Sequence, residues 1–278
     1  MSRTIPIDAE RLAAARAHYR DCRLCEHRCG VDRAAAPAAG RCKAGAEARV
    51  FRQRVEYGDE REIAPSHLFY LSGCDLRCVF CINEINAFDP RRGDLLTPEF
   101  FRRAVAEGAR LRPRTLQWVG GEPTIHLPAI LEAMAGCPDL PRVVWKTDLH
   151  GTPEAYELLD GVADLYLADF KFGNDACAKE LAGIDRYVEI LLRNLRTVSA
   201  RADLIIRHLL LPGHLDCCFR PLLKLIHLHL PGAKFSLREG YLPHWQARRY
   251  LELGRPLHRS ELDTARQLAR EAGLNLVN

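Results

Sequence analysis

His67-Leu-Phe-Tyr-Leu71-Ser-Gly-Cys74-Asp-Leu-Arg-Cys78-Val-Phe-Cys81 is the stretch that decides the fold. A short apolar run stopped by Ser72-Gly73 predicts a buried strand entering a tight turn. The loop then presents three cysteines at Cys-x3-Cys-x2-Cys spacing. Three thiolates on one loop hold three irons of a [4Fe–4S] cubane. No fourth cysteine is near in sequence, so one iron is left open to another ligand. A structural zinc site wants a closed set of four ligands, which this loop does not supply. Metal chemistry at the C-terminal end of a strand is the arrangement of parallel α/β folds.

The sequence beyond this loop has the same character. Apolar runs recur at Leu68–Leu71, Leu116–Val119, Val143–Trp145, Leu165–Ala168, Leu204–Leu211 and Phe235–Leu237. Between them, helical spacing predicts helices near 97–111, 126–135, 153–160, 185–200 and 216–229. A last helix over 259–273 has Ser260 as its N-cap and stops at Gly273. Strands alternating with helices give βαβ units and a parallel sheet. Six units are too few for a full eight-unit barrel, so the expected fold is α/β, a partial (β/α)6 TIM-type barrel. An open Rossmann-type sheet is the alternative, but no Gly-x-Gly-x-x-Gly follows any strand. Residues 1–65 are rich in Cys, Arg and Ala, with little periodicity and a flexible stretch at Ala34–Gly40 that contains Pro37. They read as an N-terminal Cys-rich metal-binding extension to a core of residues 66–278.

Composition sets limits. Of 278 residues, 47% are hydrophobic and 27% charged, as in ordinary globular proteins. A net charge of +4 with scattered basic residues gives no case for nucleic acid or an anionic membrane surface as partner. No run of 18 apolar residues occurs, and Met1–Arg20 reads as the start of a polar helix with no apolar signal-peptide core, so a cytoplasmic protein is expected. Eleven cysteines is an odd number, and a reducing cytosol does not favour disulfides. Seven of the eleven lie in the first 81 residues. Cys137, Cys177, Cys217 and Cys218 show no ligand-like spacing and read as buried or inert thiols.

A second motif, Trp118-Val119-Gly120-Gly121-Glu122-Pro123-Thr124, ends the next predicted strand. Its paired glycines permit close backbone approach. Together, the cysteine triplet and this segment resemble the radical S-adenosylmethionine (SAM) superfamily, in which Phe80 would be the usual aromatic before the third cysteine. The resemblance implies that Cys74, Cys78 and Cys81 hold a [4Fe–4S] cluster whose open iron is chelated by the methionine part of S-adenosylmethionine. It implies that Gly120, Gly121 and Glu122 bind the cofactor's ammonium, and that reductive cleavage gives a 5′-deoxyadenosyl radical that abstracts hydrogen from a substrate. A reductant such as flavodoxin or ferredoxin belongs with that chemistry.

Other segments resemble activating enzymes of glycyl-radical proteins, and more closely the pyruvate formate-lyase activase homologues of bacteria and archaea. These are Cys22-Arg-Leu-Cys25 with Cys29-Gly30-Val31, Cys78-Val-Phe-Cys81-Ile82-Asn83, Leu159–Lys171 and Arg207-His208-Leu-Leu-Leu-Pro212-Gly213. The resemblance implies a peptide or protein substrate, with a small metabolite as the alternative. It also implies a cofactor and monovalent-cation contact at Asp169, with Lys171 beside it. Thr147 and Asp148 should close the third strand at the same mouth. Strand alternation lets only one of Arg207 and His208 face the ligand, and His208 is taken for that role. His244 resembles an activase histidine near the cofactor, one residue out of register. The larger activases insert a ferredoxin-like piece after the triplet, whereas Ile82–Leu95 is short and has no cysteine.

The additional cysteines precede the triplet: Cys22, Cys25, Cys29 and Cys42, at Cys-x2-Cys-x3-Cys-x12-Cys spacing. Four thiolates are a complete tetrahedral set, suited to structural zinc or to a fully ligated second iron–sulfur cluster. His27 duplicates a ligand already present. The shortage of apolar residues able to shield a redox cluster favours zinc, and so little core needs a metal to fold.

Overall fold

The computed structural model describes residues 5–36, 38–58, 60–137 and 139–277; Met1–Thr4, which begin the expected N-terminal helix, and Pro37 lie outside them. The N-terminal helix α1 (Ala9–Ala17) is capped by the Asp8 carboxylate, which accepts from Arg11 N. There follow β1 (Arg49–Glu56), β2 (Ser66–Leu71), the short α2 (Glu84–Ala87), β3 (Asp94–Leu95) and α3 (Pro98–Ala109). Then come β4 (Thr115–Gly120), a 3-10 turn (Pro123–His126), α4 (Leu127–Ala135), β5 (Arg142–Thr147), α5 (Pro153–Leu158) and β6 (Leu165–Asp169). The chain continues through α6 (Asp175–Ala182), α7 (Tyr187–Ser199), β7 (Asp203–Leu209), a π-helical turn (Leu215–Phe219) and α8 (Arg220–His229). It closes with β8 (Lys234–Arg238), a 3-10 turn (Trp245–Arg249), α9 (Arg259–Glu271) and β9 (Asn275–Leu276).

One nine-stranded sheet runs in the order β3-β1-β2-β4-β5-β6-β7-β8-β9. β1 pairs antiparallel with β2 and β3, and every pair from β2 onward is parallel. The six predicted apolar runs are β2, β4, β5, β6, β7 and β8, and together they form the expected partial barrel. β1, within the first 65 residues, was not foreseen; its alternating polar residues carry a weak strand signal, and pairing with β2 organises it. The helix α6 was also missed, although Asn174 caps it by accepting from Cys177 N. The cap of α9 is His258 rather than Ser260, with His258 N donating to Glu261 Oε2 at 2.8 Å.

The strands bury both faces, as near-continuous apolar runs require. Outward residues such as Phe69, Trp118, Trp145, Tyr166 and Ile206 pack under the helices, with Trp118 stacked on Phe101 of α3 at 5.2 Å. Inward residues Val144, Leu165, Leu167 and Ile205 close on Ile63 and fill the barrel. Among the described residues no helix is long and apolar enough to cross a membrane.

Candidate active site

The cysteine loop leaves β2 under tight backbone control. Ser72 N donates to Arg49 O, and Gly73 N to Asn86 O, both at 3.0 Å. The end of α6 grips the far side, where Val79 N donates to Leu181 O at 2.8 Å and Arg77 N to Ala182 O at 3.3 Å, and within the loop Arg77 Nη1 donates to Cys74 O at 2.6 Å. Cys78 is buried, Cys74 and Cys81 are partly so, and all eleven cysteines are free. Burial pushes the Cys78 thiol up to about 12 and raises Cys81, with the Lys171 ammonium acting in the opposite direction on both. Thiols so placed become thiolates only against a cation. Three such donors on one loop fit a cluster with one open iron.

Both glycines of the second motif are required by this loop. A Cβ on Gly121 would lie 1.7 Å from Gly73 O, and one on Gly120 would lie 2.2 Å from Leu71 N. Gly121 N donates to Leu71 O at 2.8 Å, and Glu122 N to Gly73 O at 2.9 Å. A side chain at Gly121 would therefore strike the backbone next to Cys74. Glu122 is buried and serves as a hub. Its carboxylate accepts from Thr124 N, from Thr147 Oγ1 at 3.0 Å and from Asp148 N at 2.9 Å, which ties the end of β5 to the end of β4. Burial, with the nearby Asp75 charge, raises Glu122 to about 7.

Asp75 and His150 were not singled out from sequence. Asp75 is fully buried, with Oδ2 2.8 Å from His150 Nδ1 and Oδ1 lacking a protein partner. His27 reaches in from the N-terminal segment, its Nε2 3.1 Å from Asp75 O. It is thus a contact to the cluster loop rather than a spare ligand. Burial, then the Asp75 and Glu122 charges, raise the Asp148 carboxyl well above the usual range. Cys74, Asp75 and Asp148 offer ligand atoms within 4.8 Å of one another. The mouth therefore carries a buried acidic wall suited to a cationic group.

Asp169 accepts from Lys171 Nζ at 2.9 Å. Burial opposes its ionisation, but Lys171, Lys146 and Arg207 outweigh burial and hold it below the usual carboxylate range. The assignment of His208 does not survive. Its ring stacks on Phe219 at 5.4 Å, and Nδ1 sits 2.7 Å from Phe170 O, on the outward face of β7 with Ile206. Alternation turns Arg207 inward instead, where Nε and Nη2 donate to the buried Glu60 carboxylate. Phe80 packs edge-on against Phe172 at 6.1 Å and Tyr241 at 6.5 Å. His244 Nε2 lies 2.9 Å from Glu84 Oε2, just beyond the triplet.

Cys22, Cys25, Cys29 and Cys42 line one cavity with Leu24, Val31, Arg33, Gly40, Ala44 and Ile125. Leu24, Ala44 and Ile125 are buried there, supplying the apolar cover that the sequence lacked. The four do not form one of the sets of described residues whose ligand atoms fall within 4.8 Å of one another, whereas a single zinc holds its sulfurs about 3.8 Å apart. Their segment docks on the mouth: Glu26 N donates to His150 O at 2.9 Å, and Arg33 Nη1 to Ile125 O at 2.6 Å. Three cysteines read as inert do gather: Cys177, Cys217 and Cys218 lie with His214 within 4.8 Å. Their local signal, His214-x2-Cys217-Cys218, stands apart in sequence from the fourth member. Cys137 is buried and belongs to none of these sets.

The family model described as "Radical SAM superfamily" matches residues 68–226. An uncharacterized protein of Methanocaldococcus jannaschii, MJ0674, is 34% identical over 265 residues, covering 93% of this chain and 77% of its own. GTP 3′,8-cyclase of Synechococcus elongatus is 32% identical over 97 residues, which is 34% of this chain and 28% of the cyclase. In structure the fold is similar to Streptococcus suis SuiB bound to S-adenosylmethionine, with TM-score 0.53 at 16% identity. That similarity covers 73% of this chain and 47% of SuiB, so the chain spans under half of that structure.

Proposed function

The chain belongs to the radical SAM superfamily, and from that premise we propose that it abstracts hydrogen from a peptide or protein substrate, in the manner of an activating enzyme. Cys74, Cys78 and Cys81 are the residues that hold the [4Fe–4S] cluster in this reading. Bound there with S-adenosylmethionine, the cluster supplies one-electron cleavage of the cofactor to a carbon-centred radical. Gly120, Gly121 and Glu122 shape the adjoining wall, Asp75 and Asp148 accept a cationic group, and Lys171 balances charge at Cys78. Phe80 and Asp169 complete the cofactor side of the mouth. The quartet Cys22, Cys25, Cys29 and Cys42 holds a further metal centre, zinc or a second iron–sulfur cluster. A flavodoxin or ferredoxin supplies electrons, in a cytoplasm that keeps the thiols reduced.

One observation favours a macromolecular substrate. Ile82 is 71% exposed and Ile85 59%, immediately after Cys81, and Leu242 is 66% exposed. The His244–Glu84 pair and the Phe88–Trp245 contact at 4.7 Å bring the 242–245 segment beside them. An apolar rim outside a radical site is what a polypeptide partner would cover. SuiB has also been solved with its precursor peptide SuiA, at TM-score 0.52 to this chain. The similarity to GTP 3′,8-cyclase favours a second reading, a small-molecule substrate.

The deciding experiment incubates anaerobically reconstituted, reduced protein with cofactor and candidate substrates, followed by mass analysis of products. In this reading Ile82→Glu with Ile85→Glu lowers peptide modification at least tenfold and leaves substrate-free cofactor cleavage unchanged. Equal loss with a small-molecule substrate, or no effect on a peptide, overturns the macromolecular reading. Cys78→Ala should remove this cluster's share of the iron, about four per chain; unchanged iron together with retained cofactor cleavage would refute the cluster assignment.

A further inference from the structure

We propose that Cys177, His214, Cys217 and Cys218 bind a single zinc ion that fastens the loop after β6 to the loop after β7. Cys177 comes from the first turn of α6, and the other three lie at and within the π-helical turn before α8. Phe219 N donates to His214 O at 3.0 Å and Cys218 N to the same oxygen at 3.1 Å, so the turn is widened by a residue. Such widened turns concentrate at functional sites. Here the widening accompanies three ligand types gathered on one side.

The spacing is that of one tetrahedral ion. Zinc bonds of about 2.3 Å to sulfur and 2.0–2.1 Å to nitrogen place S and N ligands about 3.5 Å apart. His214 Nδ1 lies 3.7 Å from Cys177 Sγ and 3.2 Å from Cys217 Sγ. All four ligand atoms fall within 4.8 Å of one another. A cubane spreads its thiolates over four separate irons and needs a wider set.

One side-chain amide faces two of the sulfurs. Asn174 Nδ2 donates to Cys177 Sγ at 3.2 Å and lies 3.6 Å from Cys218 Sγ. The Glu252 carboxylate faces the imidazole from beyond hydrogen-bond reach, Oε1 being 3.8 Å from His214 Nε2. His214 Nε2 is buried and has no hydrogen-bond partner in the protein, which leaves the ring free to settle on the metal side. Cys177 and Cys218 are buried and Cys217 is exposed, so an ion can enter from solvent.

The clamp has a structural consequence at the mouth. A Cβ on Gly173 would lie 1.9 Å from Cys218 O, so the two loops already touch. The fastened stretch 170–174 carries Lys171. The ion is therefore structural, holding Lys171 and Asp169 in place without touching substrate.

The test uses anaerobically purified full-length protein. Elemental analysis and zinc-edge X-ray absorption should give at least one zinc per chain, with a shell of three sulfurs and one nitrogen. His214→Ala with Cys217→Ala should lose about one equivalent of zinc while iron is unchanged, and Cys29→Ala should keep that zinc. Stripped wild-type protein given cobalt(II) should show the ligand-field bands of a tetrahedral thiolate site, a readout independent of whether the variants fold. Wild-type protein without zinc in that shell, a double variant retaining all its zinc, or no tetrahedral cobalt spectrum would each overturn the proposal. Loss of cofactor cleavage in Cys78→Ala with this zinc intact would separate the two metal sites.

Discussion

Replacing Gly121 by alanine adds one carbon and tests how the two motifs depend on each other. The new Cβ would lie 1.7 Å from Gly73 O and 2.5 Å from Gly73 C, both backbone atoms. No rotamer relieves a backbone contact, so the end of β4 must retreat by about 2 Å to reach ordinary packing distance. That retreat breaks Gly121 N→Leu71 O and Glu122 N→Gly73 O. Overpacking costs about 1–3 kcal/mol, and a buried backbone group left unpaired costs a further 1–3 kcal/mol or so. A total near 4 kcal/mol is about a thousandfold in the population of the closed loop. At about 2 °C per kcal/mol for a chain of this size, the melting temperature should fall by roughly 8 °C. Because Gly73 adjoins Cys74, iron per chain should fall with it, so a side chain here does not spare the cluster. The matched control is Gly240→Ala, whose Cβ meets nothing within 4 Å. Anaerobic iron analysis and calorimetry on both proteins decide the matter. A Gly121→Ala protein with full iron and the melting temperature of the control would show that the two loops do not rest on each other.

Arg207→Ala removes the main cation from the buried Glu60 carboxylate, leaving Arg238 Nη1 at 3.8 Å, and should cost about 3 kcal/mol in urea unfolding, part of which Glu60→Gln restores; a midpoint equal to wild type would refute the pairing. His208→Gln should lower the melting temperature yet leave cofactor affinity in a titration unchanged, since the ring packs on Phe219; weaker cofactor binding would return it to the site. His67 is pushed down to about 4 by burial, with Nε2 2.6 Å from Gln53 Oε1. The unfolded chain takes its proton near pH 6.5, so this stabilisation is complete above pH 6.5 and declines as pH falls towards 4, by up to about 3 kcal/mol. His67→Gln should flatten the melting temperature across that window, and an unchanged slope would assign the acid sensitivity elsewhere.

What could be read from the sequence was carried by short-range pattern. Leu116–Val119 and Leu165–Ala168 are apolar runs that only a buried strand explains, and the triplet's ligands lie on a single loop. What escaped depends on pairs far apart in the chain. β1 is a strand because β2 offers it an edge. His208 and Arg207 are adjacent, and alternation shows that they part without saying which turns inward; Glu60 settles it by giving the arginine a buried partner. Asp75 stood inside the quoted motif, but its importance comes from His27 and His150, which lie 48 residues before it and 75 after it in the chain.

These long-range pairs also account for how a mouth made of loops can hold a fixed geometry. Each strand end is tied to another element. The loop after β2 is held by Gly121, Glu122 and the end of α6, and the end of β5 by Glu122 and Asp75. Asn174 reaches from the loop after β6 to Cys217 O beside β7. Loops tied at several points cannot shift singly, and a site that must keep a reactive species within reach of one hydrogen needs that. Disturbing one tie should therefore propagate to its neighbours, which is why iron content, an observable remote from β4 in sequence, is the right measure of a methyl group at Gly121.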